Sequence, residues 1–142
     1  SFWVVVGLFH KSSREVVMLR ERRRILVVDD SADNLFLLQV VLEEEGYEVE
    51  LADSGTSALA KIFASPPDLV LLDMMMPEMN GIEVTQRLRQ HDQFKDLPIV
   101  IITAYEEEVV KQKLSVGTNG CLRKPINFEE LLQKVRFFCE DK

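Results

Sequence analysis

From Arg24 onward, apolar and polar positions fall into blocks that alternate between strand and helix patterns. Ile25-Leu26-Val27-Val28 is a short, β-rich apolar run that ends in Asp29-Asp30. Ser31 follows as the cap of a helix with apolar positions at Leu35, Leu38, Val41 and Leu42, closed by Gly46. Tyr47 to Leu51 alternates as a second strand. Ser54 caps a second helix carrying Ala58, Leu59, Ile62 and Phe63, which Pro66-Pro67 stops. Leu69-Val70-Leu71-Leu72 is apolar throughout and runs straight into Asp73. A loop from Met74 to Asn80 contains Pro77. Gly81 opens a helix to about Gln90, with Glu83 and Arg87 at i,i+4. Pro98 to Ile102 is a fourth strand ending at Thr103, and 106–114 is helical. Cys121-Leu122 lies in a short fifth strand before Lys124-Pro125. Asn127 and Glu130 suit a capping box on a last helix carrying Leu131, Val135 and Phe138.

This is a (βα)₅ alternation. Strands apolar on both faces require helices on both sides of a parallel sheet, so the fold class is α/β, a doubly wound three-layer sandwich. Such a sheet places its ligand site at the carboxyl ends of the strands.

Composition narrows the picture. A chain of 142 residues suits one domain with a core of its own, and 46% hydrophobic with 29% charged residues is ordinary for a globular protein. The net charge is −7. The first 24 residues hold six basic and two acidic groups, so the remainder carries −11. An acidic body argues against nucleic acid as a direct partner, because phosphate contacts need Lys and Arg. Arg22-Arg23-Arg24 is expected to be a solvated junction. Cys121 and Cys139 are too few and too apolar in setting for a disulfide framework, which fits a reducing cytoplasm. No apolar run approaches the ~18 residues of a membrane helix, so no membrane partner is expected. Residues 1–23, with apolar runs at Phe2–Phe9 and Glu15–Leu19, form an N-terminal extension to a domain at 24–142.

The residues just after each strand carry the chemistry. Strand 1 delivers Asp29 and Asp30, strand 3 Asp73, strand 4 Thr103 and strand 5 Lys124. Three carboxylates at one edge repel one another and need a cation. Oxygen ligands favour a hard one, and Mg²⁺ fits. A carboxylate beside Mg²⁺ is a nucleophile toward a phosphoryl group, whose oxygens Lys124 and Thr103 can then hold. The bland alternatives are weaker. A strand-end Asp such as Asp30 often caps the next helix, but capping does not account for all five residues in this order. His10 and His91 have no partner at ligand spacing. Met74-Met75-Met76 is expected as loop filler and partial core.

The stretches Val27-Val28-Asp29-Asp30, Leu71 to Gly81, Ile102-Thr103-Ala104 and Lys124-Pro125 resemble the receiver family of two-component response regulators, over residues 24 to about 140. The resemblance implies strand order 2-1-3-4-5. It makes Asp73 the phosphoacceptor, with Asp30, Asp73 and the Met75 carbonyl on Mg²⁺ and Asp29 acting through a water. Thr103 and Lys124 would bind the phosphoryl group, and Lys124-Pro125 would be cis. The donor would be a phosphohistidine of a sensor histidine kinase or phosphotransfer domain, docking near Asn34, Leu35 and Leu38. The signal would leave through the helix at 106–114, the fifth strand and the last helix. A downstream protein would be the target, and a homodimer of the chain is a further expected partner.

One position departs from the family pattern. The aromatic residue expected three positions before the lysine is Cys121 here, which leaves less side chain to follow a moving Thr103. Met75 and Tyr105 are bulky and flank the approach of a hydrolytic water, so loss of the phosphoryl group is expected to be slow. The chain is expected to be a switch and not an enzyme acting on other substrates. Its competitors are a phosphatase and a degenerate receiver acting as a phosphorylation-independent interaction module. A phosphatase of this type wants a second Asp two residues after the nucleophile, where Met75 stands. The chain is expected to be either a single-domain regulator or a receiver from a larger protein such as a hybrid kinase.

Overall fold

Five short strands pair in parallel in the order β2-β1-β3-β4-β5 in the computed structural model, which describes residues 22–105 and 117–140. The elements run β1 (Arg24–Val28), α1 (Ala32–Glu44), β2 (Glu48–Ala52), α2 (Gly55–Ala64), β3 (Leu69–Asp73) and α3 (Gly81–Arg89). A 3₁₀ turn (Asp92–Phe94), β4 (Ile99–Thr103), β5 (Gly120–Arg123) and α4 (Phe128–Cys139) complete them. The helix expected at 106–114 and the extension at 1–21 lie outside the described residues.

The central strands β3 and β4 are buried along their whole length, as their unbroken apolar runs require. Alternate strand residues feed two cores. One lies under α2 and α3 and includes Leu26, Val70, Leu72, Ile99 and Ile101. The other lies under α1 and α4 and includes Ile25, Val27, Leu71, Val100 and Ile102. Each fully buried leucine or isoleucine contributes about 1.5–3 kcal/mol. Cys121 packs on the first core and Cys139 belongs to the second, so the sheet separates the two thiols.

The helix starts follow the expected chemistry. Ser31, Ser54 and Asn127 cap α1, α2 and α4, each accepting the backbone N–H three residues on. Asp30 therefore caps none of the described helices and remains exposed. The reciprocal capping box expected at Asn127 and Glu130 forms instead at α3, where Asn80 and Glu83 exchange bonds; at α4 the described bonds include only the Glu130 N–H to Asn127 half. Glu83 turns back to its own N-terminus, and among the described residues it makes no ion pair with Arg87.

Two tertiary ties hold the outer elements. The buried Tyr47 hydroxyl donates to the Glu140 carboxylate at the end of α4. Arg89 donates to the Gly117 carbonyl at 2.9 Å, the Phe94 carbonyl at 2.5 Å and Asn119 Oδ1 at 3.0 Å. Asn119 Oδ1 also accepts the Ile99 N–H at 2.8 Å. Arg89 thus anchors the entry to β5, a strand of four residues with one neighbour among the described strands.

Candidate functional site

The parallel register brings four strand ends to one edge. Val28 lies beside Leu72 and Ala52, and the Asp29 N–H extends the ladder to the Ala52 carbonyl at 3.1 Å. Asp73 pairs with Ile102, Thr103 pairs with Arg123, and the Lys124 N–H donates to the Thr103 carbonyl at 2.7 Å. Asp29, Asp30, Asp73, Thr103 and Lys124 therefore meet at the carboxyl edge, as the alternation of elements requires.

The geometry is tight. One oxygen from each of Asp29, Asp30 and Asp73 lies within 4.8 Å of the others. Asp29 and Asp73 are each 2% exposed. Lys124 Nζ stands 3.3 Å from Asp73 Oδ1. The Met75 N–H donates to the same oxygen at 3.3 Å. Burial, and then the Asp29 carboxylate, hold the Asp73 carboxyl above its ordinary pKa; Lys124 and the Met75 N–H pull it down without prevailing. Thr103 is fully buried, and its Oγ1 accepts the Tyr105 N–H at 3.1 Å.

This donor set fits Mg²⁺. Three carboxylates share one ammonium, all donors are hard oxygens, and a divalent cation relieves the repulsion that raises the Asp73 pKa.

The loop after Asp73 is pinned from both sides. Met74 and Met76 are buried, whereas Met75 is 57% exposed. The Gly81 N–H closes the loop onto the Met74 carbonyl at 2.9 Å. A Cβ at Gly81 would lie 2.7 Å from the Asp73 carbonyl oxygen and 3.0 Å from Met74 Cα, so only glycine fits without moving the backbone. The Lys124–Pro125 peptide is cis.

One expected surface is corrected. Leu35 and Leu38 belong to the core, because α1 turns its 35, 38 and 42 positions toward the sheet. Its exposed apolar residues are Phe36, Leu37 and Val40. Asn34 is turned onto Asp29, donating from Nδ2 to Oδ2 at 3.1 Å; an Asn three residues past a cap gave no signal of this. Beside it a cavity of about 280 Å³ is lined by Asp29, Asn34, Leu37, Leu38, Lys124, Pro125, Ile126 and Phe128. Cys121 is half-buried opposite Ile101.

Comparison with known proteins agrees with this geometry. The family model described as the response regulator receiver domain matches residues 25–136. The DNA-binding response regulator MtrA of Mycolicibacterium paratuberculosis is 42% identical over 116 residues, which is 81% of this chain and 50% of MtrA. The chain spans about half the length of the curated relatives it matches. The chemotaxis protein CheY4 of Vibrio cholerae superposes with a TM-score of 0.78 at 35% identity, covering 83% of this chain and 99% of that one. The receiver domain of a Pseudomonas aeruginosa sensor histidine kinase, solved with a magnesium ion coordinated in its active site cleft, has a TM-score of 0.76. It is 26% identical and covers 83% of this chain and 98% of its own.

Proposed function

The chain belongs to the response regulator receiver domain family of two-component signalling, and on that premise we propose that Asp73 is its phosphoacceptor, in a reaction that depends on Mg²⁺. The observation that carries this is the convergence of Lys124, 3.3 Å from Asp73 Oδ1, with three carboxylates at the strand edge. The receiver unit is taken as residues 24–142, with 1–23 as an extension.

The Asp73 carboxylate attacks the phosphorus of a phosphohistidine. The P–N bond breaks, its electron pair stays on the imidazole nitrogen, and that nitrogen takes up a proton. The product is an aspartyl phosphate. Lys124 and the Thr103 hydroxyl stabilise the phosphoryl oxygens. Asp29, Asp30, Asp73 and the Met75 carbonyl would hold Mg²⁺, which supplies the positive charge needed to bring an anion to a cluster of carboxylates. Thr103 exchanges its contact with the Tyr105 N–H for the phosphoryl group and shifts an existing equilibrium on the face of β5 and α4. Cys121, small and half-buried, follows that shift less than an aromatic side chain.

The donor is a sensor histidine kinase or a phosphotransfer domain. Phe36 is 67% exposed, Leu37 48% and Val40 43%, and this apolar face adjoins the cavity that reaches Lys124. It supports docking of a helical donor on α1. The protein handles only its own phosphoryl group. No described helix is long and apolar enough to cross a membrane. With −11 charge on residues 25–142, we place any DNA contact outside this domain, in the part of the DNA-binding relatives that this chain does not span.

The test is incubation with Mg²⁺ and a small phosphodonor, or with beryllofluoride, followed by mass spectrometry. An adduct is expected on the wild type and not on Asp73→Asn. Absence of any Asp73-dependent adduct would leave the phosphorylation-independent module as the better reading.

A further inference from the structure

The hydrogen bonds around Asp29 single out a residue that the phosphoacceptor chemistry does not use. Asp29 Oδ1 accepts the Ser31 N–H at 2.8 Å, a local i to i+2 bond. Oδ2 accepts Asn34 Nδ2 at 3.1 Å. The second bond comes from the first turn of α1, where the Asn34 N–H is itself tied to the Ser31 cap at 3.3 Å. The cap places the Asn34 backbone, and the Asn34 amide places the carboxylate. Asn34 lines the same cavity as Asp29 and Lys124.

A neutral amide suits this position. Each carboxylate oxygen has two lone pairs, so one bond on each oxygen fixes the group and leaves a lone pair on each for the site. A lysine there would compete with a cation for the same charge. An aspartate would add a fourth negative group to a cluster that already holds three within 4.8 Å.

We propose that Asn34 is a positioning residue for the divalent cation. Its amide holds Asp29 in the orientation that cation binding uses, and its loss weakens Mg²⁺ binding although Asn34 is not a ligand. This rests on the Mg²⁺-dependent reading of the Asp73 site. Partners that orient metal ligands commonly contribute about 10–100-fold in metal affinity. A single neutral bond at the edge of a cavity places the effect at the low end, roughly tenfold.

The test uses the 142-residue chain and Asn34→Leu, which keeps size and does not lower helix propensity but removes the donor. Asn34→Ala is the second variant. Mg²⁺ affinity is measured by isothermal titration calorimetry and thermal stability in EDTA. The wild type and Asp73→Asn serve as references. The expected result is a Kd raised roughly tenfold, with Tm in EDTA within about 2 °C of wild type. Phosphoryl uptake from a small phosphodonor is expected to recover at saturating Mg²⁺. A Kd within about twofold of wild type in both variants, while Asp73→Asn abolishes binding, overturns the role of Asn34 and leaves the Mg²⁺ reading standing. A lowered Tm in EDTA with unchanged Kd also overturns it, since Asn34 is then only a structural residue. Wild-type protein that shows no Asp73-dependent Mg²⁺ binding sinks both.

Discussion

Replacing Asp73 by asparagine is expected to stabilise the metal-free protein while removing most of its response to Mg²⁺. Asp73 and Asp29 are both 2% exposed, with oxygens within 4.8 Å. Two unit charges at that distance repel by about 3.5 kcal/mol at an effective dielectric near 20. Lys124 at 3.3 Å opposes this, but its side chain is 33% exposed and solvent screens the pair. The balance is visible in the Asp73 carboxyl, which burial and Asp29 hold above its ordinary pKa despite Lys124. A carboxyl whose pKa is raised in the folded state favours folding when protonated. That contribution is complete below the unfolded-state value and lost as pH rises through the folded-state value. Above the raised pKa the ionised Asp73 is therefore a net burden, and the neutral amide relieves about 1 kcal/mol, or roughly 4 °C in Tm for a domain of this size. Mg²⁺ at ten times its Kd stabilises the wild type by about 1.4 kcal/mol. Thermal melts by circular dichroism in EDTA and in Mg²⁺ should show the variant ahead in EDTA and the wild type at least level in Mg²⁺. As pH falls toward the raised pKa, the variant's advantage in EDTA should shrink. A variant that melts below wild type in EDTA, or gains as much from Mg²⁺ as wild type does, refutes the reasoning.

Three further outcomes follow from packing and exposure. Gly81→Ala forces a Cβ against the Asp73 carbonyl oxygen at 2.7 Å; urea denaturation should show a loss of about 2 kcal/mol, and a loss below about 0.5 kcal/mol would mean that the loop yields freely. Arg89→Met keeps the aliphatic stem but removes the donors to Gly117, Phe94 and Asn119. It should lower stability by about 2 kcal/mol, with amide exchange fastest in β5. Met75, 57% exposed, and Tyr105, 40% exposed, stand two residues beyond Asp73 and Thr103, where they are expected to flank the approach of a hydrolytic water. The aspartyl phosphate should therefore be long-lived, and Met75→Ala or Tyr105→Ala should hasten its loss; a wild-type lifetime of seconds would contradict this.

Much of this molecule is legible along the chain. β3 and β4 are apolar on both faces because helices cover both faces, so their ends at Asp73 and Thr103 can be read directly. Ser31, Ser54 and Asn127 announce helix starts because capping is a contact between residues three apart. Five polar residues at or directly after the ends of four strands then define the site, since a parallel sheet brings those ends to one edge. The tertiary structure decides what local pattern leaves degenerate. Helix α1 carries seven large apolar residues, Leu35, Phe36, Leu37, Leu38, Val40, Val41 and Leu42, so pattern alone does not select its inner face. Packing on the sheet takes Leu35, Leu38 and Leu42 and leaves Phe36, Leu37 and Val40 outside. Glu83 has partners within reach on either side, Asn80 and Arg87, at energies that differ by a fraction of a kcal/mol; it takes the helix N-terminus. Arg89 finds acceptors at Gly117 and Asn119, and Asn34 finds Asp29. Sequence by itself determined the alternation of strands and helices and the residues at the strand ends, because both depend on local periodicity; the strand order was what the family resemblance implied. Which side chains orient them, and which way the Asp73 proton equilibrium leans, depends on burial and distances that exist only once the sheet is assembled.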